Sequence, residues 1–338
     1  MFLSRRNALL GGIALPLSAS ALPGRPAAAP SGGVRRLSPA LDSIIASDAR
    51  LEVLAEGFAW SEGPVWIADG GFLLFSDVPQ NRIHRWSATD GASVFLTPSG
   101  YAGSDPSGFR EPGSNGLIPG PPGSILMADH GNRAIARLDL KTRAKTILAQ
   151  RFEGRRFNSP NDLVKASSGA LFFTDPPYGL EGLDQSPLKE IPFSGVYRLD
   201  PDSAVSLLTD ALSFPNGIAL SPDERTLYVA VSDPGHAVLM AYDLTDEGPL
   251  ARGRVLRDFT PLVGPEAPGL PDGMAVDSAG RLFCTGPGGV HILTPAGESL
   301  GVIDTGGAAA NCAFGEDGRS LFITAGSRLL RVRTLTQG

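Results

Sequence analysis

Six places in this 338-residue chain put one oxygen-bearing side chain in a turn just ahead of an apolar stretch: Glu62, Asn115, Asn161, Asn216, Asp272 and Asn311. Two carboxylates and several neutral amides, once gathered in space, make an all-oxygen cage. Hard cations such as Ca2+ favour that mixture, and a bound cation of this kind can polarise a carbonyl or activate water. Four of the six are the expected ligands of one divalent cation: Glu62, Asn161, Asn216 and Asp272. Taken singly, each has an ordinary alternative, because Asn-Gly and Asp-Gly suit tight turns whatever the function. Glu62 departs from that explanation, since Glu has no special place in turns yet stands in phase with the amides.

The elements that must position these residues are the repeats themselves. The phrase FPNGIALSPDERTLYVAVSD (214–233) reads as a turn, a strand, a Pro-Asp turn and a second strand. It returns as SEGPVWIADGGFLLFSD (61–77), GSNGLIPGPPGSILMAD (113–129), SPNDLVKASSGALFFTD (159–175), LPDGMAVDSAGRLFCTG (270–286) and AANCAFGEDGRSLFITA (309–325). Two further strands follow most copies, so each repeat supplies about four strands over roughly 40–55 residues, the spacing of propeller blades. The sixth has room for only three, and ARLEVLAEG (49–57) is the expected fourth, closing the ring. The expected fold is therefore all-β, a six-bladed β-propeller over 49–338 with a central divalent-cation site. An open β-sandwich is the alternative, and it leaves six in-phase repeats unaccounted for. In a propeller the first strand of each blade lines the channel, so the six polar residues should meet at one mouth.

A second in-phase set, Asp77, Asp129, Asp175 and Asp233, follows the second strand of four repeats. These acids either support the amides or simply close turns. His130 in ADHGNR is a candidate acid or base near the mouth, with a solvated loop histidine as the alternative. His84, His236 and His291 show no metal spacing. Cys284 and Cys312 stand in apolar contexts, as a disulfide in an oxidising compartment or as two buried thiols.

Composition narrows the function classes. Glycine (42) and proline (29) concentrate in turn contexts, while 42% hydrophobic content is too high for disorder. Net charge is −6, with no basic stripe for nucleic acid. The first 29 residues carry Arg5, Arg6, Arg25 and an apolar run from Ala8 to Leu17, and read as an export signal cleaved after Ala21 or Ala29. SRRNALL fits the twin-arginine pattern, with an ordinary Sec signal as the alternative. Either route predicts a periplasmic or secreted protein, without a stable membrane span after signal removal, and without that segment 26 basic residues face 35 acidic ones. Residues 30–48 are expected as a linker and lead-in. No GxSxG, HExxH, P-loop or GxGxxG signature is present, so chemistry would fall to the cation.

The motifs SEGPVW, NSPNDL, FTDPPYGL, FPNGIALSPD and LPDGMAVD resemble, as a set, the bacterial gluconolactonase branch of the gluconolactonase/regucalcin-like (senescence marker protein) propellers over roughly residues 50–330. The resemblance implies one divalent cation in the channel, held by Glu62, Asn161, Asn216 and Asp272. It implies hydrolysis of a sugar lactone to the aldonic acid, with Asp272 accepting a proton. Ca2+ is the expected ion, with Zn2+, Mn2+ or Fe2+ as alternatives. Regucalcin-type members carry an Arg two residues before the channel Asn, where this chain has Ser159. Ser159, Tyr178, Asn115 and His130 are the candidate substrate-binding residues. Other readings of the same metal site are ester or phosphotriester hydrolysis, as in paraoxonase- and diisopropyl-fluorophosphatase-like propellers, and a non-catalytic calcium-binding propeller. The expected partner is a small sugar lactone, and the expected state a monomer or weak dimer.

Overall fold

The computed structural model describes residues 32–244, 250 and 253–338; the export signal expected in residues 1–29 lies outside the described residues. Six antiparallel sheets follow one another along the chain. Blade I is Ser61–Ile67, Phe72–Asp77, Arg82–Ser87 and Gly91–Leu96, and blade II is Ser114–Pro119, Ser124–Asp129, Ala134–Asp139 and Lys145–Ala149. Blade III is Leu163–Lys165, Leu171–Asp175, Gly195–Leu199 and Val205–Thr209, and blade IV is Pro215–Leu220, Thr226–Asp233, His236–Asp243 and Arg254–Asp258. Blade V begins with Met274–Val276, Leu282–Gly286, Gly289–Leu293 and Ser299–Ile303. Blade VI combines Asn311–Gly315, Ser320–Ala325 and Arg328–Arg333 with Leu51–Glu56 from the other end of the chain. The first strand of every blade packs on the first strands of both neighbours, which closes the ring. A closed ring of blades is the β-propeller predicted from the repeats.

One hydrophobic cluster fills each of the six interfaces between blades. Alternation along each strand sends one side chain toward either neighbouring blade, so both faces must be apolar. Hydroxyl groups on the second strands tie blades together near the axis. Ser76 donates to Asn115 O (2.8 Å), Thr174 to Asn216 O (2.7 Å) and Ser232 to Pro271 O (2.5 Å). In blade II the equivalent residue is Ala128, and there the backbone takes over, Gly116 N donating to Asn161 O at 2.9 Å.

The expectation of a linker over 30–48 needs correcting. Val34–Arg36 pairs with Ser299–Ile303 as a fifth strand of blade V. Beyond it Pro39–Ser43 forms a 3-10 turn, and Leu41, Ile44 and Ile45 are fully buried in the cluster between blades V and VI. Three apolar residues at one-turn spacing supply a burial that a solvated linker would not have. Cys284 and Cys312 are two buried free thiols, each with its ionisation pushed up by burial.

His291, on the third strand of blade V, donates from Nε2 to Pro287 O (2.9 Å) and meets the Phe259 ring edge-on. Burial, helped by the charges of Arg257 and Arg35, lowers its pKa to about 4. A depressed histidine stabilises the fold fully above its unfolded value near 6.5, and that stability is lost as pH falls toward 4. The shift corresponds to about 3 kcal/mol. The urea-unfolding free energy should therefore drop less between pH 7 and pH 4 for His291→Phe than for the wild type. Equal drops would refute the assignment.

Candidate active site at the channel mouth

The ring residues sit where the first strands begin, and local backbone irregularity aims them. In blades I, II and IV the register slips at Glu62, Asn115 and Asn216, a bulge that turns the side chain out of the ladder toward the axis. The glycines of the Asn-Gly and Asp-Gly pairs have a different role from the turn role their sequence suggests. Gly116, Gly217 and Gly273 have no left-handed φ; they are small because the next blade is so close. A Cβ on Gly217 would lie 2.1 Å from Asp272 O, and one on Gly273 would lie 1.9 Å from Asn311 Cγ. The recurring Asn-Gly and Asp-Gly pairs are thus marks of close approach between first strands, and Asn216 lies within a strand.

Five of the six ring residues line one cavity of about 720 Å3 at the mouth: Glu62, Asn115, Asn161, Asn216 and Asp272. Asn311 does not join them. Its side chain bonds Asp162 and Cys312 N, and it lines a separate cavity further along the channel. The amides form a directed chain. Asn115 Nδ2 donates to Asn161 Oδ1 (2.8 Å), Asn161 Nδ2 to Asn216 Oδ1 (2.5 Å), and Asn216 Nδ2 to Ser232 Oγ (2.9 Å).

The carboxylates carry the electrostatic signature of the site. Glu62 accepts from Gly63 N (3.1 Å) and Trp60 Nε1 (3.4 Å), yet burial, then the charges of Asp162 and Glu111, raise its pKa to about 8. Asp272 is raised well above the ordinary carboxylate range, by burial first and then by Glu62, Asp162 and Glu111. Asp162, which follows Asn161 directly, is raised to about 7 by burial. Among the described residues no three His, Cys, Asp or Glu side chains are grouped for a metal, so a cation here must also use amide oxygens. The donors fit a hard divalent cation: two buried, mutually repelling carboxylates beside two amide oxygens.

The remaining candidates divide. Tyr178 lines the cavity with its ring stacked on Phe214 (5.8 Å) and its hydroxyl toward Ser232. Ser159 does not reach it. Fully buried, it donates to Pro176 O (2.6 Å) and accepts from Gly179 N (2.9 Å), which clips the Tyr178 loop in place. His130 is likewise fully buried behind the ring, its Nε2 3.2 Å from Asn161 Oδ1. Burial lowers its pKa to about 3, so it is a neutral partner of Asn161 and no acid or base facing the mouth.

The second set of acids anchors loops. Asp77 accepts from Ala59 N and Trp60 N, Asp175 from Asn158 N, and Asp233 from Ser213 Oγ, each holding the segment that leads into its own blade's ring residue. Asp129 instead binds Asn132 and Lys145. Residues that repeat phase alone does not find are Trp60, Arg110, Glu111 and Ser232, all lining the cavity. Arg110 and Glu111 stand in a non-repeating segment, and their only signal is an adjacent charge pair within a Gly/Pro-rich loop, GFREPG.

A closed six-bladed ring with an oxygen-donor cluster at one mouth defines the class: a propeller that binds a small ligand at the end of its channel. The chain belongs to the SMP-30/gluconolactonase/LRE-like family, whose signature matches residues 60–327. It is 45% identical to the gluconolactonase of Zymomonas mobilis, with 99% of each chain covered. Among solved structures it resembles a gluconolactonase of Xanthomonas campestris (34% identity, TM-score 0.77, 93% of this chain and 98% of that one). It shares its fold with a regucalcin of Agrobacterium tumefaciens, described as calcium-binding (20% identity, TM-score 0.66, 85% and 94% covered).

Proposed function

We propose that this chain hydrolyses a sugar lactone of the glucono-1,5-lactone kind to the open aldonic acid. The observation that carries the reading is the pair of buried, mutually repelling carboxylates, Glu62 and Asp272, beside the Asn161 and Asn216 amides on the floor of a ligand-sized cavity. The gluconolactonases to which the chain is similar support the choice of bond.

Glu62, Asn161, Asn216 and Asp272 would hold one divalent cation, with Ca2+ the ion that a carboxylate–amide set suits best. Such an ion supplies Lewis acidity to a carbonyl oxygen and lowers the pKa of water. The protein's part is to fix those oxygens and to move a proton. Asp272 accepts a proton from the water that adds to the lactone carbonyl carbon, and the ring C–O bond breaks as the alkoxide is protonated. Trp60 and Tyr178 line the same cavity. An export signal in residues 1–29, as the sequence reads, would put this reaction outside the cytoplasm, beside enzymes that oxidise aldoses to lactones.

The test is a pH-stat assay on chelated protein, before and after Ca2+ is restored. Glucono-1,5-lactone should open well above the spontaneous rate only in the restored protein. Aryl esters and phosphotriesters run in parallel, and turnover confined to them would replace the lactonase reading. No cation-dependent turnover of any of the three would leave a non-catalytic cation-binding propeller.

A further inference from the structure

The cavity is lined unevenly. Val263, Leu270, Ala308 and Ala309 make an apolar wall on the side of blades V and VI. Across from it stand Arg110 and Glu111, and Arg110 is the one cationic side chain among the lining residues. Both belong to the segment joining blades I and II, which is fastened to the insertion of blade III. Arg110 N and Glu111 N both donate to Gly179 O (3.1 and 3.3 Å), Glu181 N donates to Gly108 O (3.0 Å), and Phe109 bridges Leu180. Gly179 leaves no slack, since a Cβ there would lie 2.7 Å from His130 Cβ and 2.8 Å from Ser159 Cβ.

The pair is also chemically poised. The Glu111 carboxylate is largely buried, bound to the Arg110 guanidinium and 3.5 Å from His130 Nδ1. Among the described residues the guanidinium has no other side-chain or backbone acceptor, and its remaining N–H groups are free for the cavity. A planar fork of donors beside a fixed acceptor matches neighbouring hydroxyls, each of which can accept from one and donate to the other. The apolar wall opposite suits the C–H face of a sugar ring.

We infer that Arg110 and Glu111 form the part of the site that reads hydroxyl groups, so that the protein separates polyhydroxylated lactones from deoxy lactones. This rests on the lactonase reading for its kinetic test, and a binding test stands apart from turnover. In the cation-restored full-length protein, Arg110→Leu should lower kcat/KM for glucono-1,5-lactone about 10- to 100-fold, mainly through KM. The same variant should change δ-valerolactone, which has no hydroxyls, by less than about twofold. Arg110→Lys should fall between, because an ammonium cannot reproduce the fork. An equal fall on both lactones, or no fall on the glucono-lactone, overturns the inference. D-Glucitol, which has no bond to hydrolyse, provides the independent arm by calorimetry. Wild type should bind it about 10-fold or more tightly than Arg110→Leu at matched thermal midpoints. Equal binding overturns the hydroxyl-reading role even if lactones are opened, and a difference without lactone turnover sinks the lactonase reading alone.

Discussion

Asp272→Asn should leave the propeller folded and lower kcat for lactone opening by about 10²- to 10⁴-fold, the loss of a positioned proton acceptor. The same change should raise the thermal midpoint of the chelated protein. Burial and the charges of Glu62, Asp162 and Glu111 hold the Asp272 carboxyl well above its ordinary range. A carboxyl raised in the folded state costs stability once it ionises, and the cost grows as pH rises. The gain from Asn should therefore be larger at pH 8 than at pH 5. Adding Ca2+ reverses the comparison. A cation at 100 times its Kd stabilises the wild type by about 2.7 kcal/mol, whereas the variant should gain much less. A Ca2+-induced shift of the same size in both proteins would show that Asp272 holds no cation.

The second large effect is expected at a residue that touches neither cavity nor solvent. His130→Leu removes the imidazole behind Asn161 and leaves Asn161 Oδ1 with Asn115 Nδ2 as its remaining donor. Partners of this kind fix the orientation of a ligand, and their loss costs about 10- to 100-fold in cation affinity. Calorimetric titration with Ca2+ should show that loss, while kcat at saturating Ca2+ recovers to near wild type. His130→Gln, which keeps a donor, should retain part of the affinity. Unchanged affinity with a collapsed kcat would instead make His130 a direct participant in the chemistry.

Phase carried the sequence reading furthest. Because every blade repeats one strand-turn-strand phrase, the positions of Glu62, Asn161, Asn216 and Asp272 in sequence translate directly into neighbours at one mouth. Phase says which strand a residue begins, not which way a bulge turns it, and so Asn115 and Asn311 look alike in sequence while facing different cavities. It also has nothing to say about segments outside the repeat. Arg110 and Glu111 reach the site through a backbone zipper to Gly179, a contact between two irregular loops that leaves no period to read. Ser159 and His130 show the converse limit, being adjacent to the site in sequence but buried behind the cavity, where both crowd Gly179. The stretch 34–45 looks like a linker because a three-residue strand and one turn carry too few apolar positions to establish a period.

The strand Leu51–Glu56, made early in synthesis, finds its partner only in Arg328–Arg333; Glu52 and Arg331, which form an ion pair, stand 279 positions apart. Until Arg328–Arg333 exists, blade VI has an open edge, and the apolar seam holding Phe58 and Leu329 has one side missing. Blades I to V can form as neighbours emerge, but the circle itself cannot close before Arg328–Arg333 has been made. A chain broken off before Arg328 would present that raw edge to proteases and to other chains. The ring thus works as a check on its own manufacture, since only a chain extended as far as Arg333 can hide the seam.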